Sequence, residues 1–310
     1  MPLTLSLSTN PLVNRFAEPA HMIETVARDI RIRDLQLTHE FIDPSWPAAT
    51  IRRLTRDMQG AMARTGVRVT SGMTGPYGRR NHFGHPDAEV RRHYVGWFKT
   101  FADIIADLGG HSVGTQFAIL TLADHDDSVR REALTSAAID CWAEVAEHGR
   151  SAGLSFVYWE PMSVGREFGH TIRECLALQD RLTAARMAIP MRMMADIDHG
   201  DLTSADPDDT DPYAWARAVP CVSPIIHIKQ STMDKGGHRP FTARHNAAGR
   251  VQPVPLLAAL ASGGAVDNEL CMELSWKERE PDDSRVIPDL AESVAFWAPH
   301  VDTGAADLRV

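Results

Sequence analysis

Four side chains able to bind a hard cation or move a proton recur along successive apolar stretches. Glu160 closes "LSFVYWE", Asp196 lies at the end of "MRMMADI", His227 sits inside "PIIHIKQ" and Glu273 inside "ELCMELS". They are 36, 31 and 46 residues apart, each gap long enough for one strand-to-strand crossover. Any one of them alone reads as a solvated strand end or a hydrogen-bonded core histidine; four in succession read as one site. Three carboxylates facing one cavity repel one another unless a cation neutralises them, and an isolated buried carboxylate is very costly. The expected cofactor is therefore one divalent metal ion held by Glu160, Asp196, His227 and Glu273. Three oxygen ligands and one imidazole form a hard set that favours Mn²⁺, with Mg²⁺ or Co²⁺ acceptable, over structural zinc. In "MMADIDHG" (193–200) the polarity begins where an apolar run stops. His199 is left close to the metal without being needed as a fifth ligand, free to orient a substrate hydroxyl, and Asp198 reads as a surface or capping residue.

The elements that must position these groups follow from periodicity. Eight short apolar runs alternate with amphipathic stretches: 3–9, 34–40, 67–73, 111–117, 154–160, 191–197, 224–230 and 269–275. Helical spacing is clear at 47–64, with Pro47 near the start and Gly66 beyond the end. It is equally clear after Asp127, which caps a helix carrying Leu134, Ala138, Cys141, Trp142 and Val145 on one face, with Gly149 placed to end it. Eight βα repeats in 310 residues predict an α/β fold, a single (β/α)8 TIM barrel domain over 1–310, rather than a doubly wound sheet. No run after a strand reads GxGxxG, so a nicotinamide-binding domain is not expected. The pieces 74–86 and 231–251 read as long loops over the site.

Bulk properties exclude other classes. A net charge of −9 disfavours a phosphate-backbone partner, so no nucleic acid is expected. No apolar run is long enough for a bilayer and no basic leader precedes one, which predicts a cytoplasmic protein without a membrane partner. Cys141, Cys175, Cys221 and Cys271 form no CxxC pair and read as buried thiols in a reducing compartment. Exposed helices of such barrels often pair, so a homo-oligomer is expected.

On "WEPMSVGREF", "DIDH", "IHIKQS" and "CMELS" the sequence resembles the xylose-isomerase-like barrel superfamily, especially its sugar epimerase branch related to the tagatose and psicose 3-epimerases. "STNPLVNRFAEP", "VTSGMTGPYGR", "NHFGHP" and "IKQSTMDKGGHRPFT" carry a closer likeness to a narrower group, the erythritol-catabolic epimerases that act on erythrulose 1-phosphate at C3. The resemblance implies the four-ligand metal site, Glu160 and Glu273 as acid and base, and Glu167 and His199 as substrate-binding residues. It also implies a small sugar phosphate as the partner molecule. One departure stands out: free-ketose 3-epimerases usually carry arginine six residues after the metal histidine, and here that position is Met233.

Phosphate requires donors, and two glycine-containing loops offer them: 75–85 with Arg79 and Arg80, and 229–241 with Lys229, Lys235, His238 and Arg239, of which Lys229 and Arg239 are favoured. His39, Glu40 and Gln116 can line the pocket, and Trp159, Met162, Phe117 and Phe168 can wall it. The same metal and glutamates would also serve an aldose–ketose isomerase or a polyol dehydratase, because the position of the substrate decides which carbon loses its proton.

Overall fold

Every one of the eight apolar runs becomes a parallel strand, and the strands close on themselves. In the computed structural model, which describes residues 3–232, 235–276 and 282–309, they are β1 (Thr4–Ser8), β2 (Asp34–Thr38), β3 (Arg68–Met73), β4 (Ser112–Gln116), β5 (Phe156–Glu160), β6 (Met191–Asp196), β7 (Ile225–Ile228) and β10 (Glu269–Met272). β10 pairs with β1, Leu5 opposite Leu270, and completes the barrel. Between β7 and β10 the chain adds an antiparallel hairpin, β8 (Gln230–Thr232) with β9 (Lys235–Arg239). The expected long loop at 231–251 is thus partly structured, with a further helical turn at Ala243–Asn246.

Strand alternation sets the height of the functional groups. Residues two apart on a strand share a face, and Tyr158, Met194, Ile225 and Cys271 meet with Met73 in a small apolar cluster of their own. Two positions further along the same strands stand Glu160, Asp196, His227 and Glu273. The apolar cluster plugs the barrel interior, and the polar groups form the layer above it, at the C-terminal ends of the strands. Tyr158 reaches the centre because β4 carries Gly114 beside it: a Cβ there would lie 2.2 Å from the Tyr158 ring. The main core lies outside, where Leu5, Leu35, Val113, Ile226 and Leu270 meet the surrounding helices.

The helices start as the sequence predicts and one ends later. Asp127 accepts from the backbone N–H groups of Val129 and Arg130 and caps Ser128–Ala152. That helix runs through Gly149, which is buried, to Gly153, whose φ of +93° supplies the left-handed cap. The shorter helix spans Ala48–Thr65 and ends at Gly66 in the same way. Cys141, Cys175 and Cys271 are buried free thiols, whereas Cys221 is exposed. No helix of the described residues is long and apolar enough to cross a membrane.

The 74–86 segment is anchored by His82, which is buried with its ring edge-on to Tyr94 at 4.9 Å. Burial lowers its pKa to about 4, with help from the charges of His39 and Arg80 and against a bond to the Gly78 backbone. The unfolded chain binds a proton at this position near the ordinary value of 6.5. Between the two values the unfolded state holds more protons, so this contribution to stability is complete above 6.5 and is lost as the pH falls towards 4. The linkage is worth about 3 kcal/mol. Urea unfolding should therefore show a loss of stability between pH 7 and pH 4 that shrinks by about that amount in His82→Gln. Identical losses in the two proteins would mean that His82 titrates normally in the fold.

Candidate active site

A cavity of about 240 Å³ opens at the C-terminal mouth of the barrel, lined among others by Arg79, Gln116, Glu160, His199, His238 and Glu273. That is smaller than the roughly 300–1,000 Å³ of drug-sized pockets and suits a small substrate. A wider cavity of about 600 Å³ lies at the other end around Asp34, Arg68 and Glu269, the face that in such barrels serves stability rather than chemistry.

Single ligand-type atoms of Glu160, Asp196, His199 and Glu273 all lie within 4.8 Å of one another. The three acids are those expected. His199 joins them, and His227, expected as the imidazole of the set, stands against Glu160 and Glu273. His227 stands at the same height, with Nδ1 3.0 Å from Glu160 Oε1 and Nε2 2.9 Å from Gln36 Oε1. Gln36 Oε1 accepts from Nε2–H, which turns Nδ1 towards Glu160 Oε1 and, at 3.6 Å, Glu273 Oε2. Burial lowers the pKa of His227, but Glu273, Cys271 and Glu160 outweigh it and hold it well above the ordinary value.

His199 has the opposite character. Its Nδ1 is 3.2 Å from the Pro161 carbonyl, which can only accept, so Nδ1 donates and Nε2 carries the lone pair. Burial lowers its pKa to about 4, with Lys229 and His238 contributing and Asp196 opposing, and keeps the ring neutral. Nε2 then faces Asp196 Oδ2 at 3.4 Å. Two acceptors aimed at each other form the arrangement that a shared cation completes, with a backbone carbonyl behind the imidazole fixing its tautomer. Glu273 Oε2, buried with no well-formed hydrogen bond although His238 Nδ1 lies 3.0 Å away, points to the same need. These residues fit a divalent ion.

Positive charge already borders the acids. Lys229, only 1 % exposed, places Nζ 2.6 Å from Asp196 Oδ2 and 3.3 Å from His238 Nε2. His238 on β9 brings Nδ1 to 3.0 Å from Glu273 Oε2, and Asn10 donates to Glu273 Oε1 at 3.1 Å. Burial pushes the Glu273 carboxyl up, but His238 and His227 outweigh it and hold it well below the usual range. At Glu160, burial and the neighbouring Glu273 carboxylate win over His227, and the pKa rises to about 7.

The remaining predicted residues separate. Glu167 is buried and does not line the cavity; it accepts from Arg79 Nε at 2.9 Å and Nη2 at 2.6 Å. Arg239 leaves the site for an adjacent cavity with Arg244, Asp282 and Glu292, because it lies next to His238 on a strand and points to the other face. Lys229 touches Asp196 rather than the open cavity. Met233 and the Lys235 side chain lie outside the described residues. Asp198 is not a surface group: its side chain is buried and paired with Arg250. Gln116 and Met162 line the cavity, whereas Phe117, Trp159 and Phe168 pack in the core. Sequence reasoning missed Gln36, which orients His227, and Asn10, which touches Glu273. Their signal was present, since Gln36 is a polar residue inside the apolar run "DLQLT" and Asn10 directly follows the first strand and its Thr9.

Comparison with known proteins places this geometry in context. The chain is 77% identical over its full 310 residues to a D-erythrulose 1-phosphate 3-epimerase from Brucella abortus (strain 2308), covering all of both chains. Its fold matches that of a putative xylose isomerase from Rhodospirillum rubrum, with a TM-score of 0.85 at 24% identity over 96% of this chain and 99% of that one. It also matches D-psicose 3-epimerase from Clostridium cellulolyticum H10, with a TM-score of 0.70 at 14% identity over 97% and 100% of the two chains. The model of the xylose isomerase-like TIM barrel family matches residues 28–296, and with the closed eight-stranded barrel and its acidic mouth this chain belongs to that family.

Proposed function

We propose that the chain is a metal-dependent isomerase that epimerises erythrulose 1-phosphate at C3, interconverting its L and D forms in the breakdown of erythritol. The observation that carries this reading is the pair Glu160 and Glu273, from different strands, gathered into one buried group with Asp196 and His199. The Brucella relative supports the substrate. The proton at C3 is acidified by the neighbouring C2 carbonyl. Its removal leaves an enediolate, and protonation from the opposite face inverts the only stereocentre of a four-carbon ketose. Two groups at opposed faces must therefore hold different proton inventories. Glu160, raised to about 7, and Glu273, held well below the usual range, meet that requirement in the metal-free chain, since paired titratable groups driven apart define an acid and a base.

Glu160, Asp196, Glu273 and His199 would hold one divalent cation, Mn²⁺ being favoured by the donor set, and its Lewis acidity would stabilise the negative charge developing on O2 and O3. His227, whose Nδ1 stands 3.0 Å from Glu160 Oε1 and 3.6 Å from Glu273 Oε2, would join them as a further imidazole beside the cation. Lys229 shares Asp196 with the cation and neutralises the acids when none is bound.

Two measurements follow. With Mn²⁺-loaded protein and one enantiomer of erythrulose 1-phosphate in D₂O, proton NMR should show loss of the C3–H signal while optical rotation decays to zero. Glu160→Gln and Glu273→Gln should each lower turnover by roughly 10²- to 10⁴-fold, the usual range for a positioned acid or base. An aldehyde hydrate signal would instead identify an aldose–ketose isomerase, and retention of C3–H with every divalent ion would end the epimerase reading. The second measurement concerns Lys229→Met, which leaves Asp196 without its ammonium; breaking one side of a buried ion pair costs roughly 3–5 kcal/mol. In EDTA the variant should melt well below wild type, and Mn²⁺ should raise its Tm by more than it raises that of wild type. Equal Mn²⁺ shifts in the two proteins would mean that Lys229 and the cation do not share Asp196.

A further inference from the structure

Resting on the proposed phosphorylated substrate, we infer that Arg79, clamped by the buried Glu167, is the seat of the phosphate. A phosphate dianion entering this cavity meets three carboxylates at its base and needs fixed positive charge away from them. Among the described residues that line the cavity, Arg79 is the one arginine or lysine. The side chain is half exposed at the mouth, and its orientation is set from behind: Nε and Nη2 both donate to Glu167 Oε2, at 2.9 and 2.6 Å. The other oxygen of Glu167 lies 2.9 Å from Arg166 Nη2. Two guanidinium groups share one carboxylate, so the cluster keeps a net positive charge. Arg79 Nη1 makes no hydrogen bond within the described residues, which leaves the Nη1–Nη2 edge for an anion in the bidentate geometry that guanidinium and phosphate favour.

The two cations favoured for this role by the sequence are otherwise engaged. Lys229 is buried against Asp196. Arg239 and Arg244 face the neighbouring cavity together with Arg285, where Asp282, Asp289 and Glu292 balance the three guanidinium charges. Glu167, expected to touch substrate, becomes a positioning residue that acts through Arg79. Its burial explains the division of labour: a carboxylate that is 1 % exposed and gripped by two arginines has no face left for a sugar.

The test has two arms on the full chain. In the first, binding of inorganic phosphate is measured by calorimetry; Arg79→Gln should weaken it about 100-fold, the scale of losing a bidentate charge-assisted contact. Arg79→Gln also strips a partner from buried Glu167, so the double variant Arg79→Gln/Glu167→Gln is included. It should recover the melting temperature without recovering phosphate binding. In the second arm, kcat/KM is compared for erythrulose 1-phosphate and free erythrulose. Arg79→Gln should cut the ratio between the two substrates about 100-fold, whereas Glu167→Gln should raise KM for the phosphorylated substrate several-fold with little change in kcat. Undiminished phosphate binding in Arg79→Gln overturns the assignment, as does an equal loss on both substrates; loss in Arg239→Gln in its place moves the subsite to the adjacent cavity. Wild type that binds phosphate through Arg79 yet never exchanges C3–H would overturn the proposed reaction and leave the subsite standing. Wild type that epimerises with the substrate ratio unchanged in Arg79→Gln would do the reverse.

Discussion

Three carboxylates buried within reach of one another at the mouth of a barrel are the constraint around which the rest of the molecule is arranged. Glu160, Asp196 and Glu273 are 0–7 % exposed, so solvent does little to screen them, and the fold must bring compensation from elsewhere. It comes from every side. His227 stands against Glu160 within the same layer, Lys229 reaches Asp196 from just past the end of the same strand, and His238 descends on Glu273 from the hairpin. The hairpin between β7 and β10 is an addition to the repeating βα pattern, and His238 gives it a purpose, because a bare crossover would leave one side of Glu273 unpaired. His199 contributes no charge, only a lone pair, and is the group that still lacks a partner for it.

The orientation of the two imidazoles depends on contacts made far away in sequence. Gln36, on a strand across the barrel, accepts from Nε2 of His227. The Pro161 carbonyl, just beyond β5, accepts from Nδ1–H of His199 and leaves Nε2 as the acceptor. Both partners are available only once the barrel has closed. The closed barrel in turn holds its polar layer at one height because the layer below is filled: Tyr158, Met194, Ile225 and Cys271 are packed apolar groups, and the alternation of each strand then forces the next inward residue to the mouth.

Much of this was legible in the sequence. All eight strands could be read from apolar runs, and the three acids from their recurrence at strand ends, because both signals are local and have period two. What could not be read was non-local. Which ring nitrogen of His199 and of His227 presents a lone pair depends on acceptors 38 and 191 residues away. The separation of Arg239 from His238 follows from strand alternation in "KGGHR", a glycine-rich stretch with no apolar pattern to announce a strand. Gly149 looked like a helix end by type, but backbone conformation decides that role, and Gly153 holds the left-handed geometry. Glu167 could be placed near the site by resemblance, whereas its capture by Arg79 and Arg166 is a matter of packing.

The same separation of charge bears on how an enediolate survives. In the proposed reaction the enediolate spans C2 and C3 while C1 carries the phosphate, so the leaving group is allylic to the electron-rich double bond. Expulsion of phosphate requires the C1–O bond to stand perpendicular to the enediolate plane, where it overlaps the π system. A phosphate free to rotate would sample that geometry during every turnover. A guanidinium fixed from behind by a buried carboxylate restricts it, because an anion held on the Nη1–Nη2 edge of Arg79 defines the direction of the C1–O bond relative to the cation site where O2 and O3 would lie. On this view the acidic base of the cavity and its arginine rim do more than bind the two ends of a small substrate: their relative orientation sets the torsion between them. The rigidity of Glu167, gripped by two arginines and shut off from water, is then a condition for the intermediate to be reprotonated at C3 rather than broken at C1.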